Sequence, residues 1–92
     1  MISSPAMAHV IVEVQFPVPL TDEEHARMGR RVDECVGARN AHWVRSYLSS
    51  DRLRMICEFE AGDAESIREA YRSAGVEFLR IWAAERYQRA GA

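Results

Sequence analysis

The stretch that most constrains the fold of this chain runs from residue 42 to residue 61, HWVRSYLSSDRLRMICEFEA. Two runs rich in aromatic and β-branched residues flank the polar segment Ser49-Ser50-Asp51-Arg52, whose residue types favour a short chain reversal. The pattern predicts a β-hairpin. We expect this hairpin to form half of a four-stranded sheet.

The hairpin has two unlike faces, because successive side chains along a strand point to opposite sides. One face of the second strand is almost purely apolar and is predicted to be core, with Cys57 as a small buried residue and not a nucleophile. The other face is mixed and is predicted to carry any chemistry. Its members are expected to be Trp43, Arg45 and Tyr47 on the first strand, and Arg54, Ile56, Glu58 and Glu60 on the second.

The remaining elements follow from periodicity and capping signals. Residues 8–16 alternate between apolar and polar, which predicts a strand. Thr21-Asp22-Glu23-Glu24 is a capping box, which predicts the start of a helix. Gly37 is predicted to end that helix as its C′ residue. Gly62-Asp63 is predicted to cap a second helix over residues 64–74. A fourth strand is predicted over 80–87, with its best support over 80–84.

The order β-α-β-β-α-β predicts an α+β, ferredoxin-like fold: a four-stranded antiparallel sheet with two helices on one face. Residues 8–88 are expected to form this single domain, after a flexible leader over residues 1–7. The second sheet face would remain bare with Trp43, Tyr47 and Ile56 on it, which is a large apolar area for a small domain. We therefore predict that the chain pairs with itself, sheet to sheet, as a homodimer of the dimeric α+β-barrel type.

Composition excludes several classes of partner. The formal net charge is -2, so the chain lacks the basic field that binding to a nucleic-acid backbone requires. No apolar run approaches the roughly 18 residues that span a membrane. The two cysteines do not form the closely spaced set typical of small secreted domains, which predicts reduced thiols and a cytoplasmic protein.

One pattern of residues is spread over most of the chain, and its members are Glu13, Pro17, Trp43, Ser46, Tyr47, Cys57, Phe59, Glu60, Ala61, Ala74 and Gly75. Through this pattern, residues 9–83 resemble a family of small bacterial proteins, some of them nickel-binding, that fold as ferredoxin-like dimers. The resemblance implies that this chain binds nickel or another divalent transition metal without catalysis. Ala70 stands where many members carry a histidine on the second helix, so a metal site here would be weaker, rebuilt from other residues, or absent.

The candidate metal ligands are few and scattered. The three histidines, His9, His25 and His42, lie far apart, and the chain has no His-x-x-x-His or Cys-x-x-Cys spacing. His9 and Glu13, on one strand, are the best local pair, since imidazole suits nickel and carboxylate can complete its ligand set. His25 is predicted to face inward from the first helix as a hydrogen-bonded residue near the core.

An enzyme is the alternative hypothesis. Glu13 would act as general acid or base, Arg45 would hold a carboxylate or enolate, and Tyr47 would donate a proton, as in an isomerase, a cyclase or a cofactor-free oxygenase. The ligand would be small and apolar, in a pocket lined by Trp43, Ile56, Glu58 and Arg54. A third hypothesis is an interaction module, in which the same polar residues form interfacial salt bridges.

Overall fold

The hairpin forms where the sequence pattern predicts it. A computed structural model describes residues 7–90, which contain four strands and two helices. Their order is β1 (Ala8–Gln15), α1 (Asp22–Gly37), β2 (His42–Leu48), β3 (Arg54–Ala61), α2 (Ala64–Ala74) and β4 (Arg80–Ala84). This order confirms the predicted α+β, ferredoxin-like fold. Residues 1–6 of the predicted leader lie outside the described residues.

The strands of the described sheet are all antiparallel, in the order β2-β3-β1-β4. The hairpin therefore supplies half of the sheet, as predicted, with β3 and β1 in the centre. The register sets Val12 opposite Cys57 and Ile81, and Glu13 opposite Ile56 and Arg80. Because the strands pair in this register, their alternating side chains form one continuous apolar face and one continuous mixed face of the sheet.

The core lies between the apolar sheet face and the helices. Among the largest fully buried side chains are Val12 and Phe59 from the sheet and Ile67 and Tyr71 from α2. The Phe59 and Tyr71 rings meet edge to face, with centroids 5.9 Å apart and planes at 90°, an arrangement in which the positive ring edge contacts the negative ring face. Cys57 belongs to this core, which confirms its predicted placement.

Both helices begin with an N-cap at the predicted residue, whose side-chain oxygen accepts a hydrogen bond from a backbone amide. The Glu24 amide donates to Thr21 Oγ1 over 3.1 Å, and the Ser66 amide donates to Asp63 Oδ1 over 2.8 Å. These side chains satisfy amides that the first helical turn leaves without partners. Neither described helix is long and apolar enough to cross a membrane.

The two helix ends differ. Gly75 adopts a left-handed conformation with φ of 71° and ends α2, as glycine does most easily. The predicted role of Gly37 is wrong, because Gly37 is still helical and Ala38, in a right-handed conformation, caps α1. The left-handed residue that redirects the chain toward β2 is Asn40, with φ of 56°.

A β-bulge in β2 overturns one face assignment. Trp43 lies opposite Phe59, but Arg45 lies opposite Glu58, so Val44 is an extra residue on the β2 side of the ladder. From Arg45 to Leu48 the side chains lie on the predicted faces. Before the bulge, the alternation of faces is shifted by one residue. Trp43 therefore lies on the helix side of the sheet, and its predicted place on the opposite face is wrong.

Candidate functional site

The sheet surface opposite the helices, which we call the open face, gathers most of the predicted site residues. Alternation and strand register place acidic, basic, imidazole and aromatic side chains on it together. Its members are His9, Ile11 and Glu13 of β1; His42, Arg45 and Tyr47 of β2; Arg54, Ile56, Glu58 and Glu60 of β3; and Arg80 and Trp82 of β4.

Glu58 is the centre of the polar contacts on the open face. Its carboxylate lies 3.1 Å from His9 Nδ1, 3.4 Å from Arg45 Nε and 3.7 Å from Arg86 Nη1, and its side chain is only 12% exposed. The His9 contact is short in distance but not aligned as a hydrogen bond. Both His9 Nδ1 and Glu58 Oε2 are buried atoms without a hydrogen-bond partner.

A second imidazole and a second carboxylate lie next to this pair. Glu60 is opposite His9 on one side and His42 on the other, and His42 Nε2 lies 3.6 Å from Glu60 Oε1. We call these four residues, His9, His42, Glu58 and Glu60, the histidine–glutamate cluster. Even so, residues 7–90 contain no group of three or more His, Cys, Asp or Glu side chains placed to hold one metal ion.

Glu13 occupies a different part of the open face. Its carboxylate accepts a hydrogen bond of 2.9 Å from Trp82 Nε1 and lies 3.5 Å from Arg80 Nε. Four residues along a strand correspond to about 13 Å, so His9 and Glu13 are too far apart on β1 to bind the same ion. The structure pairs His9 with Glu58 and does not join the two predicted ligands.

A cavity of about 480 Å³ lies at the Glu13 end of the open face. Glu13 and Tyr47 both line it, together with Arg54 and Ile56, so the structure brings together four of the residues predicted for an enzyme. Arg45 is not among its lining residues and contacts Glu58 instead. Trp43, predicted as a wall of this pocket, is on the other side of the sheet.

The helix side of the sheet holds the second cavity of interest, of about 390 Å³, between α1 and the β2–β3 hairpin. We call it the helix-side cavity; its lining includes Met28, Gly29, Trp43, Ser46, Met55 and Cys57. His25 also lines it and is exposed, so the predicted inward orientation of His25 near the core is wrong.

Cys57 is a poor nucleophile at this position. Burial raises the pKa of its thiol, and hydrogen bonding with Ser46 and Tyr71 only partly opposes that effect. The pKa of the Tyr71 hydroxyl is also raised, chiefly by burial. Both groups therefore stay protonated near neutral pH, which agrees with a structural role for Cys57.

A family model described as "Nickel responsive protein SCO4226-like" matches residues 11–83 of the chain. The chain belongs to this family. The match confirms the resemblance seen in the sequence. No curated protein matches the chain.

The fold of the SCO4226-like chain is also that of a solved structure. The crystal structure of SCO4226 from Streptomyces coelicolor A3(2) superposes with a TM-score of 0.79 at 15% sequence identity. The match covers 88% of this chain and 100% of that one. At this identity the likeness establishes the ferredoxin-like fold alone.

Sequence reasoning missed the part that the C-terminal residues of this SCO4226-like chain play at the site. Arg80 and Trp82 hold the Glu13 carboxylate, and Arg86 approaches Glu58 from beyond the end of β4. Alternation with the buried Ile81 was the signal that could have placed Arg80 and Trp82 on the open face. No comparable signal pointed to Arg86, because residues 85–90 have no regular structure.

Proposed function

We propose that this SCO4226-like chain is a small, non-catalytic protein that binds a divalent transition metal such as nickel and acts as a homodimer. The family description, nickel responsive protein, supports the choice of metal. The observation that carries the proposal is the His9–Glu58 pair, whose buried nitrogen and oxygen lie 3.1 Å apart without hydrogen-bond partners. Buried polar atoms are nearly always hydrogen-bonded, and we propose that a metal ion is the partner of these two.

The donor atoms of this pair suit nickel. Imidazole nitrogen is a good ligand for Ni²⁺, and a carboxylate oxygen is an acceptable second ligand. A bound ion would supply the positive charge that His9 Nδ1 and Glu58 Oε2 could both coordinate. Two ligands are fewer than a stable site needs, so we propose that a second copy on the open face, or water, supplies the others. His42 and Glu60 are the nearest candidates from either copy.

The arginines beside Glu58 set a limit on affinity. Arg45 and Arg86 both contact the carboxylate that would bind the cation, and they compete with the cation for that group. Arg45→Gln should therefore tighten nickel binding. Because Arg45 is about half exposed, its ion pair contributes at most about 1 kcal/mol, which corresponds to about a fivefold gain in affinity.

The exposed apolar side chains of the open face support the homodimer. Tyr47, Ile56 and Trp82 are all large and exposed there, and burying them against a second sheet would remove them from water. A pair of such faces would also enclose the histidine–glutamate cluster and shield it from bulk solvent. Both cysteines are free thiols, which fits the cytoplasmic location that we propose.

The test is nickel binding by protein prepared without a histidine tag, measured by equilibrium dialysis and accompanied by light scattering for mass. His9→Gln should weaken binding by more than about tenfold. His25→Gln is the matched control, because His25 is an exposed histidine on α1, on the other side of the sheet. Affinity should also fall on acidification, since metal ligands must be deprotonated.

Two results would contradict this assignment. Equal binding by His9→Gln and wild type would exclude the His9–Glu58 pair. Loss of binding in Glu13→Gln with His9→Gln unaffected would instead place the ion at the Trp82 end of the open face.

The 480 Å³ cavity favours one second candidate, a dimeric barrel enzyme acting on a small apolar ligand. Glu13 would transfer a proton and Tyr47 would hydrogen-bond the ligand, since both line that cavity. An enzyme requires that Glu13→Gln abolish turnover while the dimer remains intact. The non-catalytic proposal requires that Glu13→Gln leave nickel binding unchanged.

A further inference from the structure

We infer that the helix-side cavity binds a small, uncharged molecule that carries an aromatic ring. This cavity lies on the opposite side of the sheet from the open face and has no part in the proposed metal site. The inference rests on the bulge that turns Trp43 into the cavity, on a glycine across from it, and on the chemistry of the lining.

The β2 bulge gives Trp43 its position. Without the extra residue at Val44, strict alternation would direct Trp43 to the open face; with it, the indole lines the cavity under α1. Bulges often re-aim a side chain next to a binding site. The indole N–H donates to Ser46 Oγ over 2.8 Å, which holds the ring in place, yet Trp43 is 51% exposed. An aromatic ring that is held in place and half exposed can stack against a second ring without first being ordered.

Gly29 leaves room across from that ring. It lies in the interior of α1, where a glycine makes the helix less stable than an alanine would. A Cβ placed on Gly29 would meet no atom within 4 Å. The packing of the folded chain therefore does not demand glycine at this position. The absence of a side chain keeps the α1 wall of the cavity open.

The lining selects for an apolar, ring-bearing and neutral ligand. Met28, Met55 and Cys57 present sulfur atoms, which make favourable contacts with aromatic rings. At the rim, Asp22 is held by Arg52 at 2.6 Å, and Asp33 and Arg30 carry opposite charges. The charges at the rim are thus balanced and favour no ion. His25 at the same rim can hydrogen-bond a hydroxyl group.

The volume agrees with a ligand of one or two rings. At about 390 Å³ the cavity is at the small end of the range for small-molecule sites. The probe we choose is 2-naphthol, which is neutral at pH 7 and carries two fused rings and one hydroxyl. An unoptimised probe of this size should bind with a Kd of about 0.1–1 mM.

The two tryptophans make the test specific to one side of the sheet. In ¹⁵N-labelled, metal-free protein, the indole N–H signal of Trp43 reports the helix-side cavity and that of Trp82 reports the open face. Titration with 2-naphthol should move the Trp43 signal saturably and leave the Trp82 signal in place. The fully saturated analogue decahydro-2-naphthol should bind several-fold more weakly, because it lacks the aromatic ring.

Filling the cavity is the decisive variant. Gly29→Leu should weaken 2-naphthol binding at least tenfold, and the smaller Gly29→Ala should weaken it less; both place a better helix former in α1, so the fold is retained. Gly37→Ala is the control, since Gly37 is in the same helix and outside the lining. The inference is overturned if Trp82 moves and Trp43 does not, if no shift saturates, or if Gly29→Leu binds like wild type.

Discussion

Ile56 lies in the middle of the open face, opposite Glu13 on one side and Tyr47 on the other, and it is 46% exposed. If two open faces pack together, this side chain becomes buried in both copies. Full burial of an isoleucine is worth about 1.5–3 kcal/mol, so covering the exposed half contributes about 1 kcal/mol per chain. Ile56→Ala removes that contribution twice in a symmetric dimer, which predicts a Kd for dimerisation about 30-fold higher.

Sedimentation equilibrium over a wide range of protein concentrations measures this Kd directly. Val18→Ala is the matched control, because Val18 is 63% exposed in the segment between β1 and α1 and is not on the open face. A urea titration of each variant checks that the monomer remains folded. The reasoning fails if wild type is monomeric at about 1 mM chain, or if Ile56→Ala and Val18→Ala change the Kd equally.

Three further predictions concern the stability of the fold. Gly29→Ala should raise the free energy of unfolding by about 0.5–1 kcal/mol in a urea titration, because alanine is the better helix former and no neighbouring atom opposes its Cβ; a loss of stability would contradict this. Ile67→Ala should lower it by about 2–5 kcal/mol, because Ile67 is fully buried and truncation leaves a cavity; a loss below 1 kcal/mol would show that the core collapses around the site. Burial raises the pKa of the Cys57 thiol above its ordinary value of 9.0, so the unfolded chain loses this proton at a lower pH than the folded one. Stability should therefore fall as the pH rises from about 8 to 10, and less steeply in Cys57→Ala; equal slopes would refute the assignment.

Most of the fold could be predicted because its signals are local. The Ser49–Arg52 turn, the capping residues Thr21 and Asp63, and the alternation in β1 and β3 each depend on neighbours a few residues away. Local preferences that all agree with one βαββαβ order leave little room for another topology. The open face was predictable to the same extent, since alternation separates Glu58 and Ile56 from Cys57 and Met55.

The errors arise where one residue or one register changes the geometry. Strict alternation puts Trp43 on the wrong face because the bulged residue Val44 shifts the alternation by one residue. The three- and four-residue spacing on α1 includes His25 in the inward stripe, but the buried part of that stripe is at Val32 and Val36, further along the helix. Glycine is a common helix terminator, but Gly37 is itself the last helical residue of α1 and Ala38 is the cap.

The amino-acid order alone was enough for the six elements, their sequence and the face of the sheet that is buried, because hydrophobic periodicity and capping act over short distances. It could not show that His9 contacts Glu58 and not Glu13, since that contact follows from the register of β1 against β3, which brings together residues 49 positions apart in the sequence. Nor could it show that Trp43 lies on the helix side of the sheet or that Arg86 contacts Glu58. Those contacts form only when distant segments pack together, and packing is a property of the whole fold.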